Sequence, residues 1–392
     1  MPAPEPDSLT ARRAFVVVID ALGAGAEPDA ADYGDAGANT LLHLAERCGG
    51  LRVPALEHLG LGNILPLPGV TPSPAPVVHG RLSHQGPGKD STTGHWELMG
   101  VVTETALPTF PDGVPEPIVT RIEAAMGRRT CGGGVMDGLA AIAQFGPRHL
   151  ETGELILYTS VDSVLQLAGH VDVIDEAALI AACAAARAEL TGPDAVGRVI
   201  ARPFAGAPGA FERTHGRRDF AVPPPGRSHL DALHDRGVPV HAVGKVDDLF
   251  TGRGIDEAHP GATNLEALAA LDRLVDGLPS GLAMANLVET DQLYGHRKDV
   301  VGFHRALQEI DAAVGAWLLR LRPGDLLVIT ADHGVDPALP HYDHTREQVP
   351  LLAAFPAHRH GRHDGAMADV GASALRWLTG EDEPALPGSA FV

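Results

Sequence analysis

The sequence predicts an α/β fold: a mainly parallel sheet covered by helices on both faces, interrupted by a smaller inserted α+β domain. Three observations predict it. Short continuous apolar runs recur along the chain, helix-period stretches separate them, and two proline-rich segments bracket a region of different character. A strand that is covered on both faces reads as an unbroken apolar run rather than as an alternation.

The first run, residues 14–19 (AFVVVI), ends at Asp20, and the polar, proline-rich residues 1–13 before it read as a disordered lead-in. Similar runs occupy 238–243, 282–288, 326–329 and 349–355. Between them, residues 264–278 set Leu265, Leu268, Leu271, Leu274, Val275 and Leu278 at helical spacing. Residues 303–321 repeat the pattern with Leu307, Ile310, Val314, Trp317, Leu318 and Leu321. Apolar strands alternating with amphipathic helices make a mainly parallel sheet. The proline-rich segments at 107–117 and 222–226 stiffen two crossing points of the chain. Residues 107–222 are therefore expected to be an inserted domain, and 1–106 with 223–392 a discontinuous core. Within the insert, 155–160 and 198–204 read as strands and the Ala-rich 176–190 as a helix.

Composition narrows the function. The chain has 392 residues, 44% hydrophobic but only 4% aromatic, so its cores must be built from Ala, Val and Leu. A formal charge of −20 argues against gripping nucleic acid or an anionic membrane by bulk charge. Any phosphate must be held locally. No apolar run approaches the roughly 20 residues of a membrane helix, and the start has neither the basic nor the apolar segment of a secretory signal. A soluble, cytoplasmic protein is expected. Cys48, Cys131 and Cys183 fit neither a disulfide framework nor a zinc knuckle and read as free, mostly buried thiols. The 20 histidines, set among 50 acidic residues, are the raw material of a metal site.

The informative residues follow the apolar runs, where open α/β sheets bind ligands. Asp20 follows the first run, and Asp291 and His296 follow the 282–288 run. Asp332 and His333 end the 326–329 run, and His344 comes shortly after. Each has an ordinary reading, an Asp as helix cap or turn residue and a His as a solvated loop residue. Four stretches delivering three Asp and three His to one sheet edge make a centre for two divalent ions the better reading, with manganese, zinc or iron suited to that donor set. His358, His360 and His363 lie in an Arg-rich polar stretch and read as a surface loop. A second feature is residues 88–100, GKDSTTGHWELMG, where three consecutive hydroxyls lead into a helix-like segment. One of them could sit at the helix N-terminus, where free N–H groups and the dipole favour an alkoxide or a phosphate. The local alternative is an ordinary Ser/Thr N-cap.

Residues 88–97, 158–166, 198–203, 243–245, 286–299, 331–337 and 343–347 together resemble, in order and over nearly the whole chain, the bacterial phosphopentomutases of the alkaline phosphatase superfamily. The resemblance implies an alkaline-phosphatase-like core with a cap domain inserted. It implies that Asp20, Asp332, His333 and the nucleophile hold one Mn²⁺, and Asp291, His296 and His344 the other, with other divalent metals as alternatives. It places the nucleophile at Ser91, where the family more usually has Thr, leaving Thr92 and Thr93 as weaker candidates. Ser160 and Asp162 would contact sugar hydroxyls, and Arg198, Arg202, Arg213 and Lys245 the phosphate that is not reacting. Val161 and Val171 depart from the family's usual residues near the presumed sugar pocket.

The implied activity is interconversion of α-D-ribose 1-phosphate and ribose 5-phosphate, and of the 2-deoxyribose phosphates, through a phosphoenzyme and a 1,5-bisphosphate. A sugar bisphosphate would act as priming activator. The expected partners are small pentose phosphates, with no nucleic acid, membrane or obligatory protein partner. The rivals are a phosphohydrolase with the same metal centre, a phosphoglycerate mutase, and a non-catalytic binding protein that kept the fold.

Overall fold

The computed structural model describes residues 12–160, 163–355 and 361–392. The chain divides into two compact units, Met1–Thr105 with Pro224–Val392 and Ala106–Pro223. In chain order the first unit supplies β1 (Arg13–Ile19) and β2 (Val78–Ser83). The second supplies β3 (Thr130–Val135), β4 (Leu155–Thr159), β5 (Val164–His170), β6 (Arg198–Ala207), β7 (Ala210–Arg213) and β8 (Arg218–Ala221). The first unit then resumes with β9 (Val240–Val243), β10 (Glu257–His259), β11 (Gly281–Leu287), β12 (Asp325–Thr330), β13 (Val349–Ala354), β14 (Gly361–Arg362) and β15 (Gly365–Ala366).

The first unit's sheet runs β10-β9-β11-β1-β12-β13-β2-β14, with β15 also on β2. It is parallel from β10 through β12, while β13 lies antiparallel to both of its neighbours. Every residue of β1, β11 and β12 is buried, as the unbroken apolar runs require. Ile19 stands beside Leu287, and Val18 beside Thr330. Three central strands therefore end together at one edge.

Arg13, read from sequence as part of the lead-in, heads β1 and is fully buried. Its guanidinium donates to both oxygens of Asp325 (2.7 and 2.5 Å) and to the carbonyl oxygens of Val275 (2.7 Å) and Leu278 (3.2 Å). A buried charge is tolerated when its donors are met in this way. Helix Asn264–Gly277 starts at a capping box in which Thr263 and Glu266 satisfy each other's backbone N–H groups. Its buried face is Ala267, Leu271, Leu274 and Val275, whereas Leu265, expected inside, is 78% exposed. The next long helix, Val300–Leu318, begins three residues before the expected start because the Asp299 side chain caps the Gly302 N–H at 2.9 Å.

The second unit is built on a mixed sheet, β3-β4-β5-β6-β7 with β8 also on β6. On one face Leu155, Leu157, Leu165, Leu167, Val199 and Ala201 pack with residues of helices Glu116–Met126 and Glu176–Glu189. On the other, Ile156, Tyr158, Ala168 and Phe204 pack with Ala141 and Ile142 of helix Gly138–Thr152. The glycine-rich β3 and the short, charged β7 and β8 carry no alternation in sequence that would announce them. Cys48, Cys131 and Cys183 are free. Among the described residues no helix is long and apolar enough to cross a membrane.

Candidate metal centre

The edge where β1, β11 and β12 end carries the acidic and imidazole side chains. Asp20 follows β1, Asp332 and His333 follow β12, and Asp291 lies four residues beyond β11. His296 sits in the short turn Gly295–Arg297, and His344 in the loop before β13. His333 Nε2 is 3.4 Å from Asp20 Oδ1 and 3.5 Å from Asp332 Oδ2. His296 Nε2 is 3.4 Å from Asp291 Oδ2, His344 Nε2 is 3.5 Å from Asp291 Oδ1, and the two Nε2 atoms are 3.1 Å apart. The His333 and His344 rings lie 4.1 Å apart between centroids and join the two sets. One set can offer donor atoms from Asp20, Asp332 and His333, the other from Asp291, His333 and His344, in each case within 4.8 Å of one another.

The helix Ser91–Leu98 aims its first residue into the first set. Ser91 Oγ is 3.1 Å from His333 Nε2 and 3.4 Å from Asp20 Oδ1. The N-cap is Asp90, neither a Ser nor a Thr. Its Oδ1 accepts from the N–H groups of Thr92 (3.0 Å) and Thr93 (3.1 Å), so those donors, expected to be free, are spent locally. Thr92 and Thr93 are themselves buried, and the Thr93 hydroxyl donates to Asp90 Oδ2 at 2.7 Å. Gly94 lets this helix approach β12's end: a Cβ there would stand 2.9 Å from Asp332 Cβ and nearer still to the Asp332 carbonyl oxygen. Just before the helix, the buried Arg346 donates to the carbonyl oxygens of Gly86 (2.8 Å) and Gly88 (2.7 Å). Its other nitrogens pair with Asp29 at 3.0 and 3.1 Å, so the approach to Ser91 is tied down.

Three residues that sequence reasoning did not single out hold this arrangement. Asn286, within the otherwise apolar β11, donates to Asp20 Oδ2 at 2.8 Å and to His95 Nε2 at 3.2 Å. His95 then donates through Nδ1 to the Ser91 carbonyl oxygen at 2.8 Å. Glu347 accepts from Thr40 N–H (2.9 Å), Thr40 Oγ1 (2.6 Å), Thr345 Oγ1 (2.7 Å) and Gly25 N–H (3.1 Å), binding together the loops around the edge. The available signal was a polar residue inside an all-apolar element, which must find a partner when buried.

The electrostatics fit a divalent cation. Burial, and then the charge of Asp332, raises the pKa of Asp20. Burial also pushes Asp332 up, but His333 and His95 beside it bring it down to about 2. Burial disfavours a charged His333, yet Asp332 and Asp20 carry its pKa well above 6.5. Burial opposes ionisation of Asp291 as well, but His344 and His296 hold it well below the usual carboxylate range. Protons on imidazoles thus balance the carboxylates, and a metal would replace them. Asp332 Oδ2 faces His95 Nδ1 at 3.1 Å and Asp291 Oδ1 faces His344 Nε2 at 3.5 Å as ion-pair contacts, and neither oxygen accepts a well-directed hydrogen bond among the described residues. Carboxylate oxygens whose neighbours are imidazole nitrogens suit a divalent metal of the manganese-to-zinc series.

The remaining expected residues are placed as follows. Lys245 lies at the end of β9, its Nζ 2.8 Å from the side-chain oxygen of Gln292, which adjoins Asp291. In the second unit, Arg198 and Arg202 share one face of β6, the face that carries Tyr158 and Phe204. Arg198 is 3.9 Å from Asp219, and Arg202 Nε donates to Gln166 Oε1 at 3.1 Å. Burial lowers the Arg202 pKa, with Arg217 and Arg213 adding repulsion. The Tyr158 hydroxyl is buried, takes no hydrogen bond among the described residues, and has Arg202 and Arg213 for charged neighbours. Ser160 is half-buried just past β4. Asp162, Val161, His358 and His360 lie outside the described residues. Val171 was expected near the sugar pocket, but it follows β5 at the end opposite Ser160, about 20 Å away at the rise of a strand.

Comparison with known proteins shows the family. The metalloenzyme superfamily model matches residues 12–381. The phosphopentomutase of Caldanaerobacter subterraneus subsp. tengcongensis is 45% identical over 367 residues, spanning 92% of this chain and 93% of that protein. That of Anaeromyxobacter sp. (strain K) is 47% identical over 375 residues, 94% and 95% of the two chains. Among solved structures, PH0037 from Pyrococcus horikoshii superposes with a TM-score of 0.50 at 14% identity, covering 95% of this chain and 98% of that one. Leishmania mexicana phosphoglycerate mutase gives 0.50 at 12% identity and 97% of both chains. These two likenesses concern the fold alone. Identity of this order across more than nine-tenths of the length means that the chain belongs to the phosphopentomutase family of the metalloenzyme superfamily, and so to the metal-dependent isomerases.

Proposed function

We propose that this phosphopentomutase interconverts α-D-ribose 1-phosphate and ribose 5-phosphate, and the 2-deoxyribose phosphates, in the cytoplasm through a phosphoserine at Ser91. The observation that carries the reading is the Ser91 hydroxyl, 3.1 Å from His333 and 3.4 Å from Asp20, beside a cluster of three Asp and three His. Asp20, Asp332, His333 and Ser91 would hold one Mn²⁺, and Asp291, His296 and His344 a second. When bound, two such ions neutralise charge on a transferring phosphoryl group and favour loss of the serine proton.

In the first half-reaction the free hydroxyl of the sugar monophosphate attacks phosphoserine phosphorus and the bond to Ser91 Oγ breaks. A sugar 1,5-bisphosphate results. In the second, Ser91 Oγ attacks the other phosphoryl group, and the sugar oxygen that leaves takes up a proton. The Asp90 cap and the Arg346 anchor fix the nucleophile's backbone, so little order is lost when the substrate arrives. Residues 1–106 with 223–392 take the role of catalytic core and 107–222 that of a substrate-binding cap. Arg198, Arg202, Arg213 and Lys245 would hold the phosphate that is not reacting, with Ser160 and Asp162 on sugar hydroxyls, and a sugar bisphosphate would prime the enzyme.

The test is purified protein with Mn²⁺, ribose 1-phosphate and a catalytic amount of ribose 1,5-bisphosphate. Ribose 5-phosphate should form with phosphate retained, ³²P should map to Ser91, and Ser91→Ala should transfer nothing while unfolding as the wild type does. Stoichiometric release of inorganic phosphate would identify a phosphohydrolase instead, and label on Thr92 or Thr93 would remove Ser91 from its role.

A further inference from the structure

A second group of imidazole and carboxylate donors lies in the first unit, on β9 and the edge strand β10, separated by β11 from β1 and Asp20. Strand periodicity puts its members on one face. In the parallel pair β10–β9, Glu257 stands beside His241, and His259, two residues after Glu257, returns to the same face of the sheet. The His241 and His259 rings stack with centroids 5.3 Å apart and planes inclined by 21°. His241 Nδ1 lies 3.0 Å from His259 Nε2. It is 3.6 Å from Glu257 Oε2, and His259 Nε2 is 3.6 Å from Glu257 Oε1.

The spacing of these donors is close to that of a coordination sphere. Tetrahedral zinc bonded at about 2.0–2.1 Å sets neighbouring donors about 3.3 Å apart; here the two nitrogens are 3.0 Å apart, Glu257 sets Oε2 3.6 Å from one and Oε1 3.6 Å from the other, and one donor atom from each residue lies within 4.8 Å of the others. The histidine side chains are 13% and 19% exposed and already oriented, while Glu257 is 61% exposed and free to turn one oxygen inward. In front of them is a cavity of about 330 Å³, walled by Pro239, Leu274, Leu278 and the exposed Arg273. Pro239 immediately precedes β9, so the cavity reaches toward the amino ends of the strands. The other nearby carboxylate, Asp256, is occupied by His234 Nδ1 (2.9 Å) and the Val240 N–H (2.9 Å). Burial lowers the pKa of His241, which favours the neutral imidazole that a metal needs.

We propose that His241, His259 and Glu257 form a binding site for one divalent transition-metal cation of the zinc type, separate from the Asp/His centre and completed by solvent from the cavity. Two nitrogens and one oxygen select zinc-like ions over Mg²⁺ and Ca²⁺, which take oxygen ligands. The cation replaces the hydrogen bond between the two imidazoles and ties the edge strand β10 to β9.

The test uses the full chain, stripped with chelator and titrated calorimetrically with zinc chloride. Wild type should take up one equivalent more than His259→Ala or His241→Ala, and zinc should raise the wild-type melting temperature more than either variant's. Glu257→Gln, a change at an exposed side chain that leaves the fold intact, should weaken this equivalent by at least about tenfold, the scale on which losing even a support of a metal ligand is felt. Isomerase activity in Mn²⁺ should be unchanged in all three. Equal zinc stoichiometry in wild type and both His variants overturns the proposal, as does unchanged zinc affinity in Glu257→Gln.

Discussion

Gly94→Ala tests whether the position of the Ser91 helix against Asp332 sets the rate. The added Cβ would lie 2.9 Å from Asp332 Cβ and closer to its carbonyl oxygen, whereas carbon atoms rest about 3.5–4.0 Å apart. The helix must therefore withdraw by roughly 0.6–1 Å. Asp332 is held in place by the N–H groups of Ala21 (3.1 Å) and His333 (3.2 Å), so the helix, with Ser91 on its first turn, is the element that yields. A misplacement of about 1 Å costs on the order of 100-fold in rate, or about 2.7 kcal/mol of barrier. Stability moves less. Ala gains about 1 kcal/mol over Gly in helix propensity, against about 1–3 kcal/mol for overpacking, a net loss of roughly 0–2 kcal/mol. The expected result is kcat down about 100-fold, measured on the manganese-loaded enzyme by coupled assay, with stability in urea lowered by no more than about 2 kcal/mol. Wild-type kcat in a folded Gly94→Ala protein would refute the reasoning, because the helix would then tolerate displacement without moving Ser91 out of line.

Three further outcomes are expected. Asn286→Ala removes the 2.8 Å hydrogen bond to Asp20 and should weaken Mn²⁺ binding by about 10–100-fold in chelator competition; unchanged affinity would mean that Asp20 is oriented by other means. In metal-free protein His333 has a folded pKa well above 6.5, so its contribution is full below about pH 6.5 and is lost as pH rises through the folded value. Asp332, at about 2 against 3.8, contributes above about 3.8 and loses that contribution as pH falls through its folded value. Melting temperature in chelator should therefore decline on the alkaline side, while Mn²⁺ affinity rises with pH as protons leave the imidazoles; parallel slopes with and without metal would contradict this. Asp325→Ala strands the fully buried Arg13 and should cost about 3–5 kcal/mol in urea unfolding, whereas Arg13→Met with Asp325→Leu should recover most of it.

The sequence by itself determined the frame. Runs such as AFVVVI and LLVI are too apolar and too short for anything but strands buried on both faces, and Asp20 and Asp332 sit just past their ends. Their delivery to one sheet edge was legible because parallel strands share a direction. Periodicity likewise announced the two long helices, though it misassigned Leu265, since an apolar residue at a helix's start has no turn before it to fix which way it faces. Tertiary structure alone decided what depends on register and on partners distant in sequence. The charge of Arg13 reads as solvent until Asp325, 312 positions away, is found beside it. Asn286 and His95 are unremarkable letters until β11 and the Ser91 helix bring them to Asp20 and the Ser91 carbonyl. The different surroundings of the Ser91, Thr92 and Thr93 hydroxyls belong to the same class. Three adjacent hydroxyls are equivalent in sequence, but a helix turns each by about 100° from the last, so one faces His333 while its neighbours are buried in the core. His241, Glu257 and His259 came together only through the β9–β10 pairing, because spacing along a chain records separation and not which strands become neighbours.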